Sequence, residues 1–309
     1  MANSSFEICL SKIREYCLGD QVKLLNKDHN TELYLALRHA FVMSKGAFNA
    51  DLNLEISKVR PSTSLDDYRE GLLTKHESIR LLATLHHTGG YAHFYSDTLS
   101  EMCGELIDAI DASLPVEKNT KRHFLASKSK LFSTQIVKSL VNDLSIKQVA
   151  DWYLRCDSIL NAVTAWRTSP GEDPSMLGKD AMQFHFDSDH NRFIKVFVYL
   201  SDVDASSGPH CFVPQTSASF RKYLPSGFQR DGRFSDESIS SAGLEYQKLL
   251  GPSGTVIFAD THNLHKGMPV TGKCPRYVLQ MQFVDSIFGA QTQFNDKEMK
   301  ILNPFGSFA

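Results

Sequence analysis

Three short stretches of the chain carry residues that could hold one metal ion. Residues 183–190 read Gln183-Phe184-His185-Phe186-Asp187-Ser188-Asp189-His190 and contain a His-x-Asp. Alternate residues of a strand face the same side. His185 and Asp187 therefore point together, with Gln183 beside them, while Phe184 and Phe186 turn to the packing layer. A further histidine, His265, comes 80 residues after His185 in Phe258-Ala259-Asp260-Thr261-His262-Asn263-Leu264-His265-Lys266-Gly267. Two histidines and one carboxylate on one face of an octahedral ion are the ligand set of non-haem Fe(II) oxygenases, and they leave positions open for a co-substrate and O2. Arg276 follows His265 by eleven positions. Its planar guanidinium suits the distal carboxylate of such a co-substrate. The set predicts a reaction type as well as a metal.

Other polar residues near these stretches compete for a role. His190 is out of phase with His185, and His262 lies three positions before His265; a polar loop role is expected of both. Asp189 shares the parity of His185 and Asp187 and is expected at the barrel mouth, within reach of substrate. His210 follows Gly208-Pro209, where a pocket role and a structural role are both open. Asp260 can either orient a metal ligand or serve a turn. His86-His87 reads as a helix end, and Trp152 and Trp166 as core.

These residues need elements to position them. The first half has helical periodicity: Leu33, Tyr34, Leu37, Ala40, Phe41 and Met43, then Asp66 to Leu85 stopping at Thr88-Gly89-Gly90, then Leu106–Leu114 and Ile136–Leu154. The second half changes to short apolar runs: Val163–Thr168, Ala181–Asp187, Phe193–Leu200, Cys211-Phe212-Val213, Gly254–Ala259 and Arg276–Val284. Turn-rich stretches separate them, among them the loops 168–180 and 225–240. The expected fold is mostly β with α. A double-stranded β-helix, or cupin-like jelly roll, forms a catalytic core over 161–309. A helical N-terminal region over 1–160 packs on it and supports the substrate pocket.

Bulk properties narrow the function. The net charge of −2 comes from interspersed acids and bases, so no basic stripe predicts a nucleic-acid partner. No apolar run reaches the length of a membrane span, and the start of the chain lacks a basic, apolar leader. The six cysteines form no Cys-x-x-Cys pair, which argues against a zinc knuckle or a disulfide framework. A cytoplasmic enzyme with reduced thiols and a small-molecule substrate is expected. Nothing in the sequence sets its oligomeric state.

Over residues 160–290 the chain resembles the phytanoyl-CoA dioxygenase family of Fe(II)/2-oxoglutarate oxygenases. The resemblance rests on Phe184-His185-Phe186-Asp187, on Lys195-Val196-Phe197-Val198-Tyr199-Leu200-Ser201-Asp202-Val203-Asp204, on Gly208-Pro209-His210 with Val213-Pro214, and on Gly254-Thr255 through His265, Gly267 and Arg276. It implies that His185, Asp187 and His265 bind Fe(II) and that Arg276 binds the C5 carboxylate of 2-oxoglutarate. Gln183 is a further expected cofactor contact. It also implies consumption of O2, release of succinate and CO2, and ascorbate as a reductant. Retention of Asp187 favours hydroxylation, or a desaturating or ring-forming variant, over halogenation. Where the family commonly has Pro-Gly-Ser-His, this chain has Pro214-Gln215-Thr216-Ser217. The alternatives are a cupin-type metalloenzyme that does not use 2-oxoglutarate, which would need no arginine clamp, and a non-catalytic jelly-roll binding module, which would need no triad.

Overall fold

The computed structural model describes residues 2–19, 36–37, 39–40, 44, 46–114, 122–171, 182–187, 190–216 and 233–286. Part of the expected helix around Leu33–Met43, residues 172–180 and 225–232 of the two expected loops, and Asp189 lie outside them. The described helices are α1 (Ala2–Leu18), α2 (Ala47–Val59), α3 (Lys75–His87), α4 (Asp97–Asp111), α5 (Lys128–Ser133), α6 (Gln135–Val141), α7 (Leu144–Leu154) and α8 (Asp236–Ser241). The strands are β1 (Tyr91–Tyr95), β2 (Arg122–Phe124), β3 (Ile159–Thr168), β4 (Phe193–Tyr199), β5 (His210–Phe212), β6 (Gln247–Leu249), β7 (Thr255–Ala259), β8 (His265–Gly267) and β9 (Arg276–Val284). No helix among the described residues is long and apolar enough to cross a membrane. None of the six cysteines is in a disulfide.

Two antiparallel sheets face each other. The larger runs β1-β7-β4-β9-β3-β2 and the smaller β6-β5-β8. Alternation along each strand of the large sheet assigns its two faces. Val163, Ala165, Val196, Val198, Val256, Phe258, Leu279, Met281 and Phe283 pack with the helices in one core. Trp166, Phe197, Tyr199, Ile257, Ala259 and Val278 face the other way and meet Phe212 and Leu249 of the small sheet. A third cluster, including Phe184, Phe186, Cys211, Val213 and Leu264, closes the far side of the small sheet. Phe184 and Phe186 thus lie on the packing side, as their parity requires. The first half also supplies both edge strands of the large sheet, β1 and β2.

Helix boundaries differ from the periodicity for local reasons. The expected helix from Asp66 begins only at Lys75, behind a capping box in which Thr74 and Glu77 exchange side-chain and backbone bonds. The preceding residues are held instead by the start of α7. The amides of Leu72 and Leu73 donate to Asp143 and Ser145 at 2.7 and 3.1 Å. A Cβ at Gly71 would lie 2.4 Å from the Asp143 carboxylate. The same Asp143 splits the expected helix Ile136–Leu154 in two, because its side chain caps α7 by accepting from Ile146 N at 2.8 Å. The helix expected over Leu106–Leu114 starts earlier, at Asp97, behind the cap Ser96.

Candidate metal centre

The His-x-Asp segment is not a continuous strand. Phe184 bridges to Phe234 and His185 to His265 as isolated antiparallel pairs. The second bridge matters most. His185 N donates to His265 O at 3.0 Å and His265 N to His185 O at 2.9 Å. Residues exchanging both bonds stand directly opposite, with side chains on one face. The two histidines are therefore brought together by main-chain bonds. Asp187 is fixed in turn by its amide, which donates to Thr261 O at 2.8 Å. One ligand atom from each of His185, Asp187 and His265 falls within 4.8 Å of the other two.

The hydrogen bonds decide which nitrogens face the carboxylate. His185 Nδ1 lies 2.9 Å from Gln183 O, and His265 Nδ1 lies 2.9 Å from Asn263 O. A carbonyl only accepts, so each Nδ1 carries a hydrogen and each Nε2 is left to face the carboxylate, where a metal would take its lone pair. Those Nε2 atoms approach Asp187 at 3.7 and 3.3 Å. Burial, helped by neighbouring His265, pushes the His185 pKa down to about 4, so that imidazole is neutral near pH 7. Two imidazole rings and a carboxylate, each ring oriented by an outer hydrogen bond, suit a divalent transition metal. The alignment makes Gln183 a support through its main chain: its carbonyl orients His185, and it is not among the residues lining the cavity.

The triad opens into a cavity of about 320 Å³ between the sheets. Its wall is the inner face of the large sheet: Thr164 and Trp166, Lys195, Phe197 and Tyr199, Arg276, Val278 and Gln280, with Arg122 and Phe124 at the edge. Arg276 is buried, and its Nη2 donates to Thr168 Oγ1 at 3.4 Å. It thus shares one cavity with the triad. Lys195, assigned no role in the site from the sequence, reaches Asp187 Oδ2 at 2.5 Å. Burial alone would raise the Asp187 pKa, but Lys195 and the adjacent histidines hold it well below the usual carboxylate range. The signal was a lysine inside the apolar run Phe193–Leu200, in phase with Phe197 and Tyr199. Trp166, buried in the cluster between the sheets as expected of a core residue, also lines the cavity. His210 lines it too, its ring stacked on His265 at 5.5 Å.

The remaining candidates lie elsewhere. His190 is buried with its Nε2 2.9 Å from Asn161 Nδ2. Asp260 does not orient His265. It accepts from His262 N at 3.1 Å and from Tyr153 Oη at 2.7 Å, and it lies 3.0 Å from His262 Nδ1. With His86, Tyr153 and Arg192 these residues border a second cavity of about 380 Å³.

Burial would raise the Asp260 pKa, yet the His262 hydrogen bonds and charge outweigh it and bring the value to about 2 from an ordinary 3.8. The folded pKa is the lower one, so the stabilisation is present above the unfolded value and is lost as pH falls through about 2. At roughly 1.4 kcal/mol per unit it is worth about 2 kcal/mol. Asp260→Asn is expected to cost this much at pH 6 and about half as much at pH 3 in urea unfolding. A cost independent of pH would show that ionised Asp260 does not stabilise the fold.

No protein-family model matches the chain, and no curated protein matches it. Among solved structures the chain is similar to several that are described with 2-oxoglutarate or as dependent on it. The epimerase SnoN from nogalamycin biosynthesis is 17% identical, with 69% of this chain and 84% of that chain covered and a TM-score of 0.49. EctD from S. alaskensis, solved with 2-oxoglutarate and 5-hydroxyectoine, is 13% identical over 76% and 90%, at 0.47. HygX from Streptomyces hygroscopicus, solved with nickel and 2-oxoglutarate, is 15% identical over 70% and 88%, at 0.45. Likeness at this level says nothing of substrate or activity, which rest on the site itself.

Proposed function

We propose that this chain is an Fe(II)- and 2-oxoglutarate-dependent oxygenase that hydroxylates a small molecule, consumes O2 and releases succinate and CO2. One observation carries the reading: two histidine Nε2 atoms and a carboxylate converge in the same cavity as a buried arginine. The strand order supports a double-stranded β-helix. β3, β9, β4 and β7 form one wall, and the His-x-Asp segment, β8, β5 and β6 form the other.

His185, Asp187 and His265 would hold the metal and leave its other positions to ligands. Bound Fe(II) supplies the oxidising chemistry with O2 and the co-acid. Arg276 would fix the C5 carboxylate of that co-acid, with Thr168 steadying the guanidinium. Lys195 pairs with Asp187 and balances its charge within the cavity wall. Phe197, Val278 and Trp166 exclude water from the reacting centre. A metalloenzyme that ignores 2-oxoglutarate would have no use for the buried Arg276.

The test is succinate formation from 2-oxoglutarate by the purified protein with Fe(II) and ascorbate under air, with and without a panel of small molecules. Fe(II)-dependent succinate is expected even without added substrate, and stimulation by one compound would identify its class. No succinate from protein that binds iron, across a broad panel, would favour the 2-oxoglutarate-independent metalloenzyme.

A further inference from the structure

His210 is the third histidine that lines the cavity, and it is not one of the three metal donors. The large sheet orders the facing wall into rows two residues apart. Arg276 lies in the first row, with Thr168 opposite it on β3. Val278 and Tyr199 share the second row, Gln280 and Phe197 the third, and Gln282 and Lys195 the fourth. Lys195 contacts Asp187, so the triad faces the fourth row while Arg276 marks the first. A co-acid held by the metal at one end and by Arg276 at the other must cross the two rows between.

His210 stands over that crossing on the opposite wall. It belongs to β5 of the small sheet, where it pairs with Gly267 of β8 while Phe212 pairs with His265. Parity puts the His210 and His265 side chains on one face, and their rings stack at 5.5 Å and 15°. The His210 ring also lies 4.9 Å from the ring of Phe197 in the third row. Its amide donates to Tyr199 Oη, from the second row, at 3.2 Å. Yet His210 Nε2 is buried with no hydrogen-bond partner among the described residues. A buried polar atom left unpaired is uncommon and calls for a partner. Packing between Phe197 and His265 does not need that nitrogen, because an apolar ring would fill the space without the cost of an unpaired atom. In either protonation state an imidazole carries an N–H, and a carboxylate only accepts.

We infer that His210 is a second co-acid-binding residue beside Arg276, whose imidazole N–H donates to a carboxylate oxygen of 2-oxoglutarate. This assignment rests on the proposed oxygenase function and deepens it. The contact comes from β5, a strand that supplies neither a metal donor nor the arginine. Arg276 anchors one end of the co-acid from the large sheet, and His210 sets its course past the middle rows from the small sheet.

The test is anaerobic titration of the Fe(II)-loaded protein with 2-oxoglutarate, read by calorimetry, in wild type, His210→Phe and His210→Gln. Phenylalanine keeps the aromatic packing and removes the donor, whereas glutamine keeps an N–H at similar reach. His210→Phe should weaken 2-oxoglutarate binding by about ten- to a hundredfold, the span of one hydrogen bond to a charged group, with Fe(II) affinity unchanged. His210→Gln should recover part of that loss, which a merely structural role would not give. Unchanged 2-oxoglutarate affinity in His210→Phe would overturn the inference. So would an equal loss in both variants, or a loss of Fe(II) affinity in either, which would make His210 a support for His265. Failure of the Fe(II)-loaded wild type to take up 2-oxoglutarate would instead overturn the oxygenase function itself.

Discussion

Asp187→Asn and His265→Gln each abolish turnover and weaken Fe(II) binding by more than about a hundredfold, beyond what loss of an outer hydrogen bond to a ligand costs. His265 Nε2 and Asp187 Oδ2 stand 3.3 Å apart, so one ion can bridge them, and either substitution removes a strong donor from the same small space. The aspartate change acts twice. It takes away an anionic ligand, and it leaves the Lys195 ammonium beside a dication without the carboxylate it now contacts at 2.5 Å. Both replacements conserve volume, so circular dichroism should report an intact fold. His262→Ala is the control. That ring is committed to Asp260 and borders the other cavity, so metal affinity should hold. Anaerobic metal titration decides the matter. Wild-type Fe(II) affinity in either ligand variant would remove that residue from the centre, and loss of metal in His262→Ala would mean the wrong distal histidine had been chosen.

Arg276→Gln raises the 2-oxoglutarate concentration needed for half-maximal turnover by about ten- to a hundredfold, with Fe(II) binding unchanged. A charge-assisted bidentate contact is worth ~1.5–3 kcal/mol, and each 1.4 kcal/mol is a factor of ten. The guanidinium is buried, and its hydrogen bond to Thr168 fixes it before the co-acid arrives, so little ordering cost offsets the contact. Arg276→Lys keeps the charge but not the planar fork, and should fall between the two. An unchanged 2-oxoglutarate requirement in Arg276→Gln would assign the distal carboxylate to another cation, of which Arg122 in the same row is the first candidate.

Much of this centre was legible because strands have a period of two. The parity of His185 and Asp187 anticipated that both face one way, although the pair is held by the His185–His265 bridge and the Asp187–Thr261 bond rather than along a continuous strand. The apolar run Arg276–Val284 becomes β9 with those same ends. The same parity carried Lys195, Phe197 and Tyr199 onto the inner wall, but a lysine in an apolar strand was passed over because nothing nearby in sequence explains it. Its partner Asp187 is eight residues away, beyond a turn. Asp260 misled for the opposite reason. It is close to His265 in sequence, yet the turn at Thr261–Leu264 aims its carboxylate at His262 and at Tyr153 of α7. Periodicity likewise ran the helix over Asp66–Leu85 too far back, because the amides of Leu72 and Leu73 are claimed by Asp143 and Ser145, some seventy positions along the chain.

By itself the sequence determined the donor types, the pairing of His185 with Asp187, and the alternation that turns Lys195, Phe197 and Tyr199 to one face of their strand and Val196 and Val198 to the other. These depend on side-chain chemistry and on the local geometry of an extended backbone. The tertiary structure decided which distal histidine joins the pair, which nitrogen each imidazole presents, and that Arg276, Lys195, Arg122 and Trp166 share one cavity. Those outcomes depend on register between strands far apart in the chain. Register is set by cross-strand hydrogen bonds such as the His185–His265 pair, and a slip of one residue would turn every one of these side chains to the opposite face.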